Sequence, residues 1–313
     1  QSCNPIMMIV GGRVGTDTFY QYVKNFGYLE RTGIDLPGEA NGIFYNENKF
    51  GIVDLAVSSF GQNFKVNVIQ HLTAISAIAN GGTLVTPYLV ESMTDSDGKT
   101  VWEHEKTVRR QVVSSAVCET VSSILEEGVS GNGGAKNAYV AGYRVAAKTG
   151  TSEKKERECP KCGSTGVPTK VGEKLQYVCS ICKYTGEADD FPVSEKYICS
   201  TVAYAPADDP QIAVLIMVDE PTKGSLYGST VAAPYVGNVL ENSLPYLGVE
   251  ALYSAKELEE MRIKVSSYKN WSIEKATRVI SEAGLRYKII GSGEYVTSQL
   301  PAAGTYIEEV SGT

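Results

Sequence analysis

Apolar residues recur at helical spacing in two stretches of the chain, and each stretch predicts an amphipathic helix. In the first, the expected inward face consists of Val68, Ile69, Leu72, Ile75 and Ala79. Gly81 and Gly82 follow directly and end this helix. In the second, over residues 114–129, the expected inward face consists of Val117, Val121, Ile124, Leu125 and Val129. Both helices are expected to pack on a sheet.

Four further apolar runs predict strands. A short one covers residues 84–90, and the longer ones cover residues 143–151, 197–205 and 211–219. The last two are joined by Pro206-Ala-Asp-Asp-Pro210, whose composition favours a hairpin turn. A helix over residues 231–247 follows. The predicted fold class is α+β, arranged as an α/β sandwich in which helices pack on an antiparallel sheet.

The segment from residue 153 to residue 193 interrupts the order of these strands. Its composition shifts to lysine, glutamate, cysteine and glycine, which leaves little apolar surface for a core of its own. Four of the seven cysteines in the chain form two C-x-x-C pairs here, Cys159 with Cys162 and Cys179 with Cys182. We therefore predict an inserted small domain that binds a metal.

Two C-x-x-C pairs can place four thiolates around one tetrahedral cation, at roughly 2.3 Å from a zinc ion. Gly163 permits a tight turn after the first pair, and Pro160 stiffens it. Structural zinc bound by the four cysteines is the predicted cofactor. Two disulfides are an alternative, and an iron site of the rubredoxin kind would use the same ligands.

The charge balance bears on the partners of the protein. Among 313 residues, 29 are Lys or Arg and 36 are Asp or Glu, which gives a formal net charge of −7. Nucleic-acid binding usually requires a basic face, so no nucleic acid is expected. No apolar run approaches the roughly 18 residues of a membrane span, so a membrane anchor is expected only upstream of this chain.

Two short motifs carry a resemblance to a known family. They are Ser2-Cys3-Asn4 and Lys148-Thr149-Gly150-Thr151, and Phe60-Gly61-Gln62 and Asp219-Glu220-Pro221 occur in the order of the same family. In this context residues 1–250 resemble the class B penicillin-binding proteins, serine D,D-transpeptidases that cross-link peptidoglycan. The resemblance implies the fold that these proteins share with the serine β-lactamases.

The resemblance also implies catalytic residues. In this family a serine attacks the carbonyl of the penultimate D-alanine, and an amine from a second stem peptide resolves the acyl-enzyme. Ser2 is then expected to relay a proton and Asn4 to hydrogen-bond the amide of the substrate. Lys148 is expected to attract the terminal carboxylate of the substrate. Its positive charge is also expected to lower the proton affinity of the groups around Ser2.

Three residues are expected to bind the substrate. Gly150 would leave room for a peptide that adds to the strand. The N–H of Thr151 would form half of the oxyanion hole, and the hydroxyls of Thr149 and Thr151 would contact the carboxylate. The resemblance therefore predicts that the substrate lies along this strand.

The nucleophile of the family belongs to a Ser-x-x-Lys motif upstream of Ser-x-Asn. Here that pattern occurs only downstream, beginning at Ser96, Ser152, Ser180, Ser266 and Ser272. We treat these as chance matches, because none opens a buried helix before Ser2. The chain is therefore expected to be the C-terminal part of a transpeptidase domain, and to be inactive by itself.

The C-terminal residues 263–313 resemble a truncated PASTA domain, a module associated with peptidoglycan. The resemblance is carried by Ser272-Ile-Glu-Lys-Ala276, Glu282-Ala-Gly284 and Gln299-Leu-Pro301-Ala-Ala-Gly304. The sequence predicts a helix over residues 272–283 with Ala283 on its inward face, strands over 285–290 and 295–300, and a charged linker over 251–262. The opening segment lacks the proline usual in that family, so a spacer role is as well supported as ligand binding.

The resemblance implies a parent protein at the extracytoplasmic face of the cell membrane. Its expected partners are peptidoglycan stem peptides, β-lactams and a glycosyltransferase. Two other classes remain open. A β-lactamase or β-lactam sensor shares the fold, and a non-catalytic peptidoglycan-binding scaffold would retain it without the reaction.

Overall fold

The structure, a computed structural model, describes residues 2–131, 133–172 and 174–308. The chain divides into two compact units, residues 1–250 and 251–313. The helices of the first unit are α1 (Asn4–Val14), α2 (Thr16–Asn25), α3 (Ile52–Ser58), α4 (Val68–Ala79), α5 (Ser115–Ser130), α6 (Gly228–Val231) and α7 (Ala233–Tyr246). No helix among the described residues has both the length and the apolar character needed to cross a membrane.

The strands of the first unit form several antiparallel sheets. They are β1 (Thr83–Val85), β2 (Ser92–Thr94), β3 (Thr100–Glu103), β4 (Val108–Gln111), β5 (Ala146–Lys154), β6 (Arg157–Glu158), β7 (Thr165–Val171), β8 (Lys174–Cys179), β9 (Thr185–Gly186), β10 (Lys196–Ala205) and β11 (Ile212–Asp219). The central sheet has the order β11-β10-β5, and the segment 155–195 between β5 and β10 carries the sheet β6-β7-β8-β9. We call this segment the cysteine module.

Helices cover both faces of the central sheet. On one face, Ala203 and Ala205 of β10 pack with Val236, Leu240 and Leu244 of α7. On the other face, Tyr204 packs with partly buried residues of α4 and α5. Because neighbouring residues of a strand point to opposite faces, this alternation confirms the predicted antiparallel sheet with packed helices.

The predicted inward faces of α4 and α5 are partly wrong. In α4 the buried residues are Gln70, Thr73, Ala74 and Ala77. In α5 they are Cys118, Ser122 and Val129, whereas Val117 and Ile124 are 48% and 65% exposed. Polar residues with internal partners take the inner positions: the Ser122 and Tyr204 hydroxyls share a hydrogen bond of 2.7 Å.

The strand predicted over residues 84–90 ends at Val85. The backbone N–H groups of Leu89 and Val90 donate instead to the carboxylate of Asp35, at 2.8 and 2.9 Å. These hydrogen bonds replace those of a ladder, so the segment leaves the sheet.

The second unit contains α8 (Ala255–Glu260), β12 (Arg262–Lys264), α9 (Ile273–Glu282) and β13 (Tyr306–Glu308), and β12 pairs with β13. The strands predicted over 285–290 and 295–300 are wrong, because the only pairing described there is an isolated bridge between Ser272 and Tyr295. Residues 294–296 instead bond the backbone before α9, where Ile273 N donates to Glu294 O at 3.0 Å. Ala283 is exposed rather than inward. Residues 309–313 of the expected PASTA unit lie outside the described residues.

Candidate active site

Ser2 and Lys148 meet in the structure although they are far apart in the sequence. Ser2 lies just before α1, whose N-cap residue is Cys3, and Asn4 is the first residue of that helix. Lys148 is the third residue of β5. Its Nζ donates to Ser2 Oγ at 3.0 Å. The start of α1 and the start of β5 therefore form two sides of one cleft.

The ammonium of Lys148 is held in a partly desolvated position. It also donates to the backbone carbonyl of Thr149, at 2.6 Å. The residue as a whole is exposed, but desolvation at its ammonium lowers the pKa of Lys148 below its ordinary value of 10.5. A lysine with a lowered pKa gives up its proton more readily, so Lys148 can more easily exchange a proton with the hydroxyl of Ser2.

Thr149, Gly150 and Thr151 are half-buried along β5. In the ladder with β10 they pair with Thr201, Ser200 and Cys199, respectively. Within the part of the chain that the structure describes, no strand pairs with the other edge of β5. An edge strand presents backbone groups that can pair with another chain, so this edge is the natural place for a peptide.

Close packing fixes the start of β5. A Cβ at Gly150 would lie 2.8 Å from Ser200 Oγ, and a Cβ at Gly228 would lie less than 3.0 Å from the carbonyl oxygens of both Gly150 and Ser200. Gly228 N donates to Thr151 Oγ1 at 3.1 Å, and Thr201 Oγ1 donates to Gly228 O at 3.1 Å. Sequence reasoning missed Gly228, because nothing before folding marks it as a neighbour of β5.

Gln62 is a second residue whose role the sequence did not reveal. Its Nε2 donates to Thr151 O at 3.2 Å, and its Oε1 accepts from Ser152 Oγ at 3.3 Å. Gln62 follows α3, which packs on α1: a Cβ at Gly11 would lie less than 3.0 Å from Ser59 Oγ. The loop that contacts β5 therefore follows α3, which packs on the helix that begins beside Ser2.

The structure brings the four cysteines of the module together. All four sulfur atoms lie within 4.8 Å of one another. The shortest separations run between the two pairs, 3.5 Å from Cys159 to Cys182 and 3.4 Å from Cys162 to Cys179. All seven cysteines of the chain are free thiols.

The surroundings of the cluster affect its cysteines differently: they raise the pKa of Cys182 and favour the thiolate of Cys162. Cys159 and Cys179 are buried and pack with Phe191, whereas Cys162 and Cys182 are exposed. Hydrogen bonds from the backbone and side chain of Ser164 lower the pKa of Cys162 to about 6. Cys182 N donates to Cys179 Sγ at 3.3 Å. Thiolates are the ligands that tetrahedral metals prefer, so the cluster can hold such an ion.

A cluster of ion pairs lies where the central sheet meets the cysteine module, and one of its pairs joins the two. Lys154 and Lys196 face each other at the end of the β5–β10 ladder. Glu220 bridges them, with Oε1 at 2.9 Å from Lys154 Nζ and Oε2 at 3.1 Å from Lys196 Nζ. Lys154 also pairs with Asp219 at 2.7 Å, and Lys196 with Glu158 at 2.8 Å. Like charges in direct opposition destabilise a ladder, so the acidic residues offset the two lysines.

The Ser-x-x-Lys sequences of the first unit do not stand at the start of a helix beside Lys148. Ser96 is in the β2–β3 turn, Ser152 is in β5 and Ser180 is in the cysteine module. Ser266 and Ser272 belong to the second unit. Within the described residues of the first unit, none of these serines begins a helix that points at Lys148.

Comparison with known proteins matches the chain to two families. The family described as "Penicillin binding protein transpeptidase domain" matches residues 1–166 and 183–241, and the PASTA domain family matches residues 263–311. The unmatched residues 167–182 lie inside the cysteine module and include Cys179 and Cys182.

Individual relatives agree with the family matches. The chain is 34% identical to stage V sporulation protein D of Bacillus subtilis, over 99% of this chain and 44% of that protein. It is 26% identical to a probable peptidoglycan D,D-transpeptidase, PenA, of Neisseria meningitidis, over 77% of this chain and 34% of that protein. The chain thus spans less than half the length of either relative.

Solved structures share the fold. Penicillin binding protein 3 of Mycobacterium tuberculosis in complex with aztreonam superposes with a TM-score of 0.62 at 25% identity, over 82% of this chain and 52% of that one. The complex with ampicillin gives a TM-score of 0.61 at 25% identity, over 79% and 50%. The chain belongs to the penicillin-binding protein transpeptidase family, and its transpeptidase domain is followed by a PASTA domain.

Proposed function

We propose that this chain is part of a peptidoglycan D,D-transpeptidase, which cross-links stem peptides through a serine acyl-enzyme and is acylated by β-lactams. The observation that carries the proposal is the 3.0 Å contact between Lys148 Nζ and Ser2 Oγ. It joins the Ser-x-Asn and Lys-Thr-Gly-Thr motifs in one cleft beside a free strand edge. The names of relatives, among them the PenA transpeptidases, support the same reaction.

The donor peptide would bind along β5. Lys148 and the hydroxyls of Thr149 and Thr151 would bind its terminal carboxylate, and its backbone would pair with the free edge. The carbonyl of the penultimate D-alanine would then lie near the Thr151 N–H, which would stabilise the oxyanion of the tetrahedral intermediate. Asn4 would hydrogen-bond an amide of the same peptide.

Ser2 would carry a proton during acylation. The serine nucleophile loses its proton as it attacks, and the leaving D-alanine amine must gain one. The Ser2 hydroxyl can accept one hydrogen bond while it donates another, so it can relay that proton. The lowered pKa of Lys148 favours proton exchange with this hydroxyl.

The nucleophile is proposed to come from a Ser-x-x-Lys motif outside residues 1–313. Of the five such sequences within the chain, three lie in a turn, in β5 and in the cysteine module, and two belong to the second unit. Residues 1–313 alone are therefore expected not to be labelled by a fluorescent penicillin. Labelling of this polypeptide at any of those serines would contradict the proposal.

The cysteine module is proposed to bind one structural zinc ion through Cys159, Cys162, Cys179 and Cys182. Four ligands at about 2.3 Å around a tetrahedral zinc ion lie about 3.8 Å apart, close to the separations in the cluster. A closed four-sulfur site stabilises the module and takes no part in the reaction. Metal analysis should find one zinc per chain, and release of the zinc should add four titratable thiols to those of Cys3 and the other free cysteines. Iron in that analysis, or four thiols that resist titration until reduction, would contradict zinc.

Zinc is further proposed to order the loop that flanks β5. The module connects the end of β5 to the start of β10, so its folding restrains both strands. Chelation is expected to lower both the melting temperature and the rate of acylation of the complete enzyme. If both values stayed unchanged, this role would fail.

The parent protein is proposed to act at the extracytoplasmic face of the cell membrane, with its anchor outside these residues, beside a glycosyltransferase that supplies glycan strands. The PASTA domain would serve as a spacer or bind peptidoglycan. A β-lactamase or β-lactam sensor is the alternative that shares the cleft. The lifetime of the acyl-enzyme distinguishes them, because a transpeptidase holds a β-lactam far longer than a hydrolase does.

The direct test of the function is acylation of a transpeptidase domain that contains residues 1–313. A fluorescent penicillin should label it, and Lys148→Met should nearly abolish the labelling. Undiminished labelling of Lys148→Met, in a protein with the wild-type melting temperature, would reject the proposed role of this cleft. An absence of labelling in the wild-type domain would favour the scaffold.

A further inference from the structure

The side chain of Gln62 contacts the edge of β5 in the way that a peptide would. Its carboxamide donates to the carbonyl of Thr151 at 3.2 Å and accepts from the hydroxyl of Ser152 at 3.3 Å. A carboxamide carries the same donor and acceptor as one peptide group. Gln62 therefore uses the hydrogen bond that an added strand would make at Thr151.

The Thr151 carbonyl lies on the free edge of β5. In an antiparallel ladder, alternate residues direct their backbone groups to the same side. The carbonyls of Thr149 and Thr151, two residues apart, both accept from side chains outside β10, namely Lys148 Nζ and Gln62 Nε2. Both carbonyls thus point away from β10, toward the edge where the substrate is proposed to lie.

The loop that carries Gln62 has an unusual backbone. The residues on either side, Gly61 and Asn63, have φ angles of 87° and 70°. A residue other than glycine with positive φ is uncommon and costs free energy. Asn63 is held there by a hydrogen bond from its side chain to the hydroxyl of Tyr45. The local structure is therefore arranged to present Gln62 to β5.

We propose that Gln62 is a placeholder that the ligand must replace: it satisfies the Thr151 carbonyl until the amide N–H of a stem peptide, or the acylamino N–H of a β-lactam, takes its position. The inference rests on the proposed function, because it requires that the ligand add to β5. Gln62 thereby affects ligands differently: one with a suitably placed N–H takes its position and must break its hydrogen bond, whereas one without such an N–H leaves Gln62 on Thr151 O.

The expected size of the effect follows from the strength of one hydrogen bond. Exchange of a neutral hydrogen bond changes an equilibrium by about two- to tenfold. Removal of the Gln62 donor should therefore raise the second-order acylation constant by about that factor for ligands that carry the N–H. Ligands without it should gain little, because they leave Gln62 on Thr151 O and break no hydrogen bond there.

The experiment uses a transpeptidase domain that contains residues 1–313 and two probes, a penicillin with an acylamino group and a carbapenem without one. Gln62→Met keeps the length of the side chain and removes its donor. We expect a faster reaction with the penicillin and an unchanged one with the carbapenem. Ser152→Ala, which removes the second contact of Gln62, should act in the same direction more weakly. Gln21→Met, at an exposed glutamine of α2 that bonds Asn25, is the control.

A slower reaction with the penicillin, no change, or an equal change with both probes would overturn the placeholder role. A slower reaction would indicate that Gln62 braces β5. If Gln62→Met lowers the melting temperature strongly, the reactions of Ser152→Ala with the two probes test the placeholder role by the same criteria. Lys148→Met in the same assay separates the two proposals. If Lys148→Met is acylated normally, the proposed function fails. If Lys148→Met is not acylated while Gln62→Met reacts like the wild type, only the placeholder role fails.

Discussion

The two ends of β5 are held by different interactions. At its start, β5 is fixed by close packing, since Gly228 lies directly against the backbone of Gly150. The side chains of Lys148 and Gln62 donate hydrogen bonds to carbonyls on its outer edge. At its end, Lys154 belongs to a cluster of ion pairs centred on Glu220, and the cysteine module begins one residue later.

This difference separates a surface that is proposed to recognise a ligand from one that holds an added domain. Hydrogen bonds between a strand edge and side chains can be exchanged for those of a peptide at little net cost. A small module without much apolar surface needs another source of stability, such as a metal. Changes at one end of β5 should therefore act on acylation, and changes at the other end on the stability of the module.

The largest expected effect is on the module. Cys179→Ser removes a buried ligand of the proposed zinc ion. The free energy of zinc binding, on the order of 10 kcal/mol, would then be largely lost to the folding of the module. Amide hydrogen exchange in β7 and β8 should become fast, while exchange in β10 and α7 stays slow. Cys118→Ser, at a buried cysteine of α5, is the matched control and should leave β7 and β8 protected. Equal protection of β7 and β8 in both variants would contradict the metal site.

Lys148→Met should have the largest effect on the reaction. Loss of a charged group that stabilises the transition state costs about 10²- to 10³-fold in rate, so the acylation constant should fall by that factor with little change in melting temperature. A fall of less than tenfold would show that the carboxylate is bound elsewhere.

The pH dependence refines this prediction. Because the pKa of Lys148 is lowered below 10.5, the folded protein releases this proton at a lower pH than the unfolded chain does. Its desolvation therefore weakens the fold at low pH, and stability rises as pH increases through the interval between the two pKa values. Acylation that needs the cation should decline as pH rises, with a midpoint below pH 10.5. Lys148→Arg should move that midpoint to higher pH.

Gly228→Ala should have an intermediate effect, at the start of β5. The added Cβ would lie against two backbone oxygens, and overpacking of this kind costs about 1–3 kcal/mol. The melting temperature should fall and acylation should slow, because β5 is displaced. Gly12→Ala, at an exposed helical glycine with no atom within 4 Å of its Cβ, should be neutral or stabilising. Unchanged acylation in a destabilised Gly228→Ala would show that the start of β5 tolerates movement.

The smallest effect is expected for Glu220→Gln, at the end of β5. Hydrogen bonds from Lys154 and Lys196 lower the pKa of Glu220, so its stabilising effect is complete above the ordinary pKa of glutamate and is lost as pH falls through the lowered value. In the wild type, protection of the Lys154 and Lys196 amides from hydrogen exchange should therefore decrease in acid. In the variant, this protection should already be reduced at neutral pH. Glu195→Gln, at an exposed neighbour, is the control. An identical acid response in Glu220→Gln would exclude Glu220 as its cause.

The sequence predicted the elements that depend on local pattern. The two long strands around Pro206-Ala-Asp-Asp-Pro210, the helices over residues 68–79 and 115–130, and the position of the cysteine pairs all follow from periodicity, turn residues and spacing. The inward faces of α4 and α5 did not follow, because Gln70 and Ser122 are buried with partners that lie elsewhere in the chain. The strands expected after α9 failed for a similar reason, since that segment bonds the backbone before α9.

The sequence by itself determined which chemical groups this protein has: the hydroxyl of Ser2, the ammonium of Lys148, the glycine after Thr149 and four thiols at metal-binding spacing. Only the tertiary structure decided what each group meets. A motif fixes residue types over a few positions, whereas the distance from Ser2 to Lys148, the packing of Gly228 on β5 and the contact of Gln62 with Thr151 depend on how distant segments fold against one another.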